Sequence, residues 1–210
     1  MWSRDVPANE SILGQKAASV KPNIRQKFLA CPRYMVRDEF EQLLFFVRKE
    51  IEVHVLERSL KDFYITSMST KTIVHKGLFV GDEVKDFYLD LQDDEFISEF
   101  AVFHQRFSTN TFPSWPLAQP FRMMAHNGEI NTIQGNRNWM RAREFAEQGR
   151  SWVPEDHALG NFIMPGRSDS ATFDNALETY VFGGRGIYHS IVHMMPEAWQ
   201  NKVQIDDDLK

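Results

Sequence analysis

The chain has 210 residues, 42% of them hydrophobic and 25% charged, with a formal net charge of −5. That length suits one substantial domain with its own core, and the acidic balance argues against nucleic acid or an anionic membrane as main partner. No apolar run nears the roughly 20 residues that span a bilayer, and the single cysteine, Cys31, excludes an internal disulfide and fits a reducing compartment.

No internal repeat or low-complexity tract divides the sequence. Residues 1–35 carry Pro7, Pro22 and Pro32 with little periodicity and read as an irregular or partly helical lead-in. The opening Met1-Trp2-Ser3-Arg4-Asp5 does not read as a secretory leader, because charges interrupt it and no apolar stretch follows. From Asp38 the pattern becomes helical, with Phe40, Leu43, Leu44, Val47 and Ile51 on one face and Asp38 with Glu41 as a capping box. Residues 63–68 and 72–76 read as two strands of a hairpin. Val84, Phe87, Tyr88 and Leu91 mark a second amphipathic helix.

Residues 100–107 alternate, so that Phe100, Val102, His104 and Arg106 share one face of a strand. Residues 121–125 read as the next strand and deliver His126-Asn127-Gly128 at its tip. Residues 137–147 are helix-forming. Ser168-Asp169-Ser170 opens another helix, with Phe173, Ala176, Leu177, Tyr180 and Val181 on its face and Gly183-Gly184 as its stop. Strand pairs mixed with helices indicate α+β, an antiparallel sheet layered with helices.

Two of these segments carry chemistry. Asn127 offers a side-chain amide and Gly128 a backbone N–H with no Cβ in the way, so both donors suit one developing oxyanion. Arg106 offers a planar fork suited to a carboxylate. Together they suggest a small amino-acid substrate held by its carboxylate while its carbonyl is attacked. Each element also has a plain structural reading: Asn-Gly is a strong hairpin signal, and an arginine on a strand is commonly half of a surface ion pair. His189 and His193 stand at i and i+4, but no further ligand set accompanies them, and a metal site is not expected.

Longer stretches resemble a known family. His104-Gln105-Arg106-Phe107-Ser108-Thr109-Asn110-Thr111-Phe112-Pro113-Ser114-Trp115, Leu117 to Arg122, Ala125 to Ile133, Gly135-Asn136, Asn138-Trp139-Met140, Ser168 to Ala171, Phe173-Asp174-Asn175 and Met194 to Asn201 closely resemble the glutamine amidotransferase domain of glutamate synthase large subunits. The His-x-Arg-Phe-Ser-Thr and Asn-Gly-Glu elements are shared by class II amidotransferases generally. The Pro113-Ser114-Trp115 and Asn138-Trp139-Met140 stretches are particular to glutamate synthase and speak against the phosphoribosyl and glucosamine-phosphate enzymes.

The resemblance implies an N-terminal-nucleophile hydrolase fold, with αββα layers built on stacked antiparallel sheets. It implies hydrolysis of L-glutamine to glutamate and ammonia, the ammonia passing to 2-oxoglutarate in glutamate biosynthesis. By the same resemblance Arg106 would hold the glutamine α-carboxylate, Asp169 the α-ammonium group, and Asn127 and Gly128 the oxyanion. Ser108 and Thr109 would shape the pocket. His104 is read either as a hydrogen bond behind these groups or as a structural histidine, and Ser168 or Asp169 equally caps its helix.

The family's nucleophile is a cysteine at the mature N-terminus whose own amino group is the base. Met1-Trp2-Ser3 does not match it, and Cys31 reads as a buried or incidental thiol. The expectation is therefore an internal fragment, residues 1–210 of a partial amidotransferase domain truncated at both ends and inactive alone. The remaining synthase domains would be its partners. FMN and an iron–sulfur cluster belong to the full-length enzyme, and no cofactor is expected in these residues. The expected compartment is cytoplasmic, or a plastid in a plant or alga. A different class of reading is a non-catalytic glutamine-binding or scaffold module that keeps the clamp without the chemistry.

Overall fold

A computed structural model describes residues 1–60, 62–106, 112–128, 130, 133–147, 153 and 160–195. The lead-in is more ordered than its prolines suggest. Strand β1 (Trp2–Asp5) pairs antiparallel with β2 (Arg25–Phe28), Trp2 opposite Phe28 and Asp5 opposite Arg25, with the short helix α1 (Gln15–Ser19) between them. Cross-strand pairs hold this ribbon: Trp2 lies against Phe28 with ring centroids 4.7 Å apart, and Arg4 Nε donates to Gln26 Oε1 at 2.9 Å. Arg4 also reaches Asp90, 86 residues away, with both terminal nitrogens. Partners at that separation leave no local pattern, which is why the lead-in reads as irregular.

Helix α2 (Arg37–Glu57) starts one residue before Asp38, and its end is closed differently from expectation. Glu39 accepts the Val36 N–H at 3.4 Å, Asp38 pairs with Lys71 at 2.7 Å, and Glu41 is drawn away to Ser69 and Thr70. Its buried side is also displaced: Leu43, Val47 and Ile51 are only half-buried, whereas Phe45, Phe46, Arg48, Lys49 and Glu52 are buried. Charged residues take core positions because they find one another there, as described below.

Helix α3 (Val84–Phe87) runs into a single 3-10 stretch at Leu89–Gln92, shorter than its apolar spacing suggests, but Phe87 and Tyr88 are buried. Helices α4 (Ile133–Glu147), α5 (Asp169–Phe182) and α6 (Ile187–Met194) follow. Helix α5 begins where Ser168-Asp169-Ser170 announces it. Ser168 Oγ accepts the Ala171 N–H at 3.1 Å, and Gly183 forms its C-cap. One core joins Phe45 and Phe46 of α2 to Met140 of α4, Phe162, and Ala176 of α5; another gathers Phe87, Tyr88 and Trp115, with Val6 and Ile24 from the ends of the ribbon strands packed against it.

Among the described residues the class is α+β with one small two-stranded sheet, not stacked sheets. Residues 63–68 and 72–76 form no ladder, because Glu41 pins the intervening turn through Thr70 N–H at 2.7 Å and Ser67 Oγ takes the Val74 N–H at 3.2 Å. Residues 121–125 are a turn, because Asp174 captures the Arg122 and Met123 N–H groups at 3.4 and 2.8 Å. Residues 100–106 form no strand and show no alternation of burial: none has a strand beside it among the described residues, and Phe100, Val102 and Phe103 are all exposed. An extended segment without a partner makes no ladder, however regular its pattern.

Candidate functional site

Three elements that sequence reading singled out separately are joined through one loop. They are the 104–106 segment, the loop from Gln119 to Ile130, and the N-terminus of α5.

His126 is the junction of the first two. Gln119, buried, pairs with its peptide in both directions: Oε1 accepts the His126 N–H at 2.8 Å and Nε2 donates to the His126 carbonyl at 3.0 Å. The amide side chain thus does the work of a strand neighbour, which fixes a loop that has no ladder of its own. His104 Nε2 donates to the same carbonyl at 3.0 Å. That acceptor puts a proton on Nε2, so Nδ1 receives the Arg106 N–H at 3.0 Å. The Arg106 carbonyl lies 2.8 Å from Nδ1 and becomes a partner only when the ring is doubly protonated. His104 therefore orients both Arg106 and the peptide that leads into Asn127.

The third element closes the arrangement. Ile130 N–H donates to Asp169 Oδ2 at 3.1 Å, while Asp169 Oδ1 accepts the Ser170 N–H at 2.7 Å. A buried carboxylate in the first turn of α5 is thereby tied to the loop two residues past Gly128, and the N-terminal end of the helix favours its charge. Ser168, not Asp169, supplies the N-cap oxygen. Capping and loop-holding are thus divided between neighbouring side chains.

Between these two anchors, Asn127 and Gly128 stand exposed, as does Arg106, whose guanidinium has no ion pair or hydrogen bond among the described residues. A Cβ on Gly128 would come within 3.3 Å of His126 Nδ1, so the glycine also keeps the loop free to lie against its own histidine. Chemically, an exposed carboxamide and N–H on a clamped turn, with a free guanidinium on the adjoining segment, suit a small anion or a carbonyl becoming one.

The structure links His104 and Arg106 to the peptide that precedes Asn127 and Gly128, and Asp169 to Ile130 beyond them. Ser108 and Thr109 lie outside the described residues. Sequence reading missed the roles of Gln119 and His126. Both sit inside the stretches that carry the family resemblance, but neither has a local pattern that declares its partner. Cys31 is exposed, not buried, and its Sγ faces the Met35 carbonyl at 3.5 Å. His189 and His193 do share α6, with ring centroids 6.3 Å apart and Arg185 Nη1 3.2 Å from His189 Nε2.

Asn127 and Gly128 thus lie on a loop anchored at both ends, with Arg106, unpaired among the described residues, on the adjoining segment. Over residues 1–210 the chain matches the class-II glutamine amidotransferases, and it belongs to that family. It is 41% identical over 207 residues to the NADPH glutamate synthase large chain of Azospirillum brasilense, covering 99% of this chain and 14% of that one. It is 43% identical over 199 residues to the chloroplastic ferredoxin-dependent glutamate synthase of Oryza sativa subsp. japonica, covering 94% and 12% respectively. The large chain from Bacillus subtilis is 40% identical over 206 residues, with 98% and 14% covered. The chain thus spans 12–14% of the length of these relatives.

Proposed function

We propose that residues 1–210 are part of the glutamine-hydrolysing domain of a glutamate synthase, whose two stacked sheets are completed by polypeptide beyond these residues. The observation that carries this reading is the clamp on the Asn127-Gly128 loop: His104 and Gln119 on the His126 carbonyl at one end, Asp169 on the Ile130 N–H at the other. Such preorganisation is what an oxyanion hole needs, since donors that need not move at the moment of reaction lower the barrier most.

In this mechanism Arg106 grips the α-carboxylate of L-glutamine and Asp169 faces its α-ammonium group. A cysteine thiolate from outside these residues attacks the side-chain carboxamide carbon. The carbonyl oxygen becomes an oxyanion that accepts from the Asn127 carboxamide and the Gly128 N–H. Collapse breaks the C–N bond and the nitrogen departs as ammonia after taking a proton. Water then hydrolyses the thioester to glutamate and regenerates the thiol. Ser108 and Thr109 shape the pocket wall. Released ammonia passes to 2-oxoglutarate in the remaining synthase domains, which carry the FMN and the iron–sulfur cluster; no residue here is assigned to either. The compartment is cytoplasmic or plastidic. No described helix is long and apolar enough to cross a membrane.

Titration calorimetry with L-glutamine tests the clamp. Binding that weakens at least about tenfold in Arg106→Ala, as loss of a charged hydrogen-bonded contact requires, supports the reading, with no glutamate released by the 210 residues alone. Glutamate release from this chain would refute the external nucleophile, and glutamine binding indifferent to Arg106 would refute the clamp.

A further inference from the structure

On the other flank of α5 lies a cavity of about 260 Å³ to which none of the clamp residues contributes. Its lining combines Lys76, Arg122 and Arg167 with the carboxylates of Glu52 and Asp174 and an apolar wall that includes Phe63. Asp174 and one oxygen of Glu52 are already committed, while Glu52 Oε2 lies 3.9 Å from Lys49 Nζ and accepts no hydrogen bond among the described residues. Glu52 Oε1 accepts from Arg48 at 2.8 Å and Arg122 at 2.9 Å, and Asp174 accepts the backbone N–H groups of Arg122 and Met123. The basic side chains keep donors in reserve, although Arg122 is also ion-paired with Glu52 at 2.9 Å and Glu178 at 3.9 Å. Arg122 spends Nη2 on Glu52 and the Ile65 carbonyl, which leaves its Nε buried without a partner. Arg167 has no ion pair or side-chain hydrogen bond among the described residues. Lys76 gives one N–H to the Pro116 carbonyl at 2.8 Å and has others left.

The cavity opens partly to solvent past Leu60 and Phe63, but a buried donor such as Arg122 Nε is costly to leave unpaired unless an acceptor enters. The volume falls just under the roughly 300–1,000 Å³ of sites for drug-sized ligands, so the occupant is the size of an amino acid. We propose that this cavity is a second, separate binding site for a short aliphatic dicarboxylate, its carboxylates received by Arg122, Arg167 and Lys76 and its methylenes by the apolar wall. The proposal does not depend on glutamine hydrolysis.

Calorimetric titration of the 210-residue chain with glutarate, set against uncharged glutaramide, tests it. Glutarate should bind and glutaramide should not. Arg167→Gln should weaken glutarate at least about tenfold, the loss expected of one charged hydrogen-bonding group. Phe63→Glu, which adds a carboxylate at a half-exposed position of the wall, should weaken it as much, so the test survives if one variant fails to fold. Asn127→Ala should leave glutarate binding unchanged while impairing glutamine, which separates this site from the clamp. Absence of glutarate binding up to about 10 mM, where affinity is already negligible, would overturn the proposal. So would glutarate affinity unchanged in both cavity variants, or equal competition by glutamine.

Discussion

Glu52 sits at the centre of the buried charges that displaced apolar residues from the inner side of α2, and replacing it with glutamine isolates what that network contributes. Its Oε1 lies 2.8 Å from Arg48 Nη1 and 2.9 Å from Arg122 Nη2, and its Oε2 lies 3.9 Å from Lys49 Nζ. Burial alone would push this carboxyl up, but the charges of Arg48, Arg122 and Lys49 outweigh it and hold the pKa at about 2 against the ordinary 4.5. That gap corresponds to about 3 kcal/mol of preference for the charged form. It agrees with the roughly 3–5 kcal/mol lost when one partner of a buried ion pair is removed. Because the folded pKa is depressed, the contribution is complete above 4.5 and fades as pH falls toward 2. Glu52→Gln should therefore be less stable than the native chain by about 3 kcal/mol at pH 7 and by only about 1 kcal/mol at pH 3. Urea unfolding followed by circular dichroism measures both. A loss under about 1 kcal/mol at pH 7, or a loss that does not shrink with acidity, would refute the assignment of these ion pairs as net stabilising.

Three further outcomes are expected. Ser168→Ala removes the oxygen that caps α5 and should cost about 1 kcal/mol in the same urea assay. Asp169→Ala releases the Ile130 N–H, and amide exchange at Ile130 should accelerate at least about tenfold, together with weaker glutamine binding; unchanged exchange would show that the loop does not depend on α5. Lys76 is pushed down to about 7, by burial first and by Arg122 second. Between pH 7 and 10.5 the unfolded chain therefore binds more protons at this position than the folded one. Native stability should rise with pH relative to Lys76→Met across that window, and urea midpoints that stay parallel would contradict it.

The sequence alone determined what is written in neighbouring residues. Ser168 followed by an apolar face and closed by Gly183 sets the limits of α5, because a cap and its helix are contiguous. Helices α2 and α4 were legible from their composition and spacing, although the Asp38–Glu41 cap did not form and α4 starts at Ile133, ahead of the expected 137. The exposed Asn127-Gly128 pair declared its donors by residue type. The tertiary structure alone decided what depends on distant partners. Residues 121–125 read as a strand, yet Asp174 takes the Arg122 and Met123 N–H groups from some fifty positions away and bends them into a turn. Helix α2 buries Arg48, Lys49 and Glu52 because Glu178 and Arg122 arrive to meet them, and without those partners the cost of dehydrating charge would have kept them outside. The candidate site divides along the same line. Its donors were visible in the chain, but the groups that hold them, Gln119 and the His126 carbonyl, emerge only when the backbone has folded. A hydrogen bond is set by position in space, and one-dimensional spacing records only those positions that the chain itself keeps close.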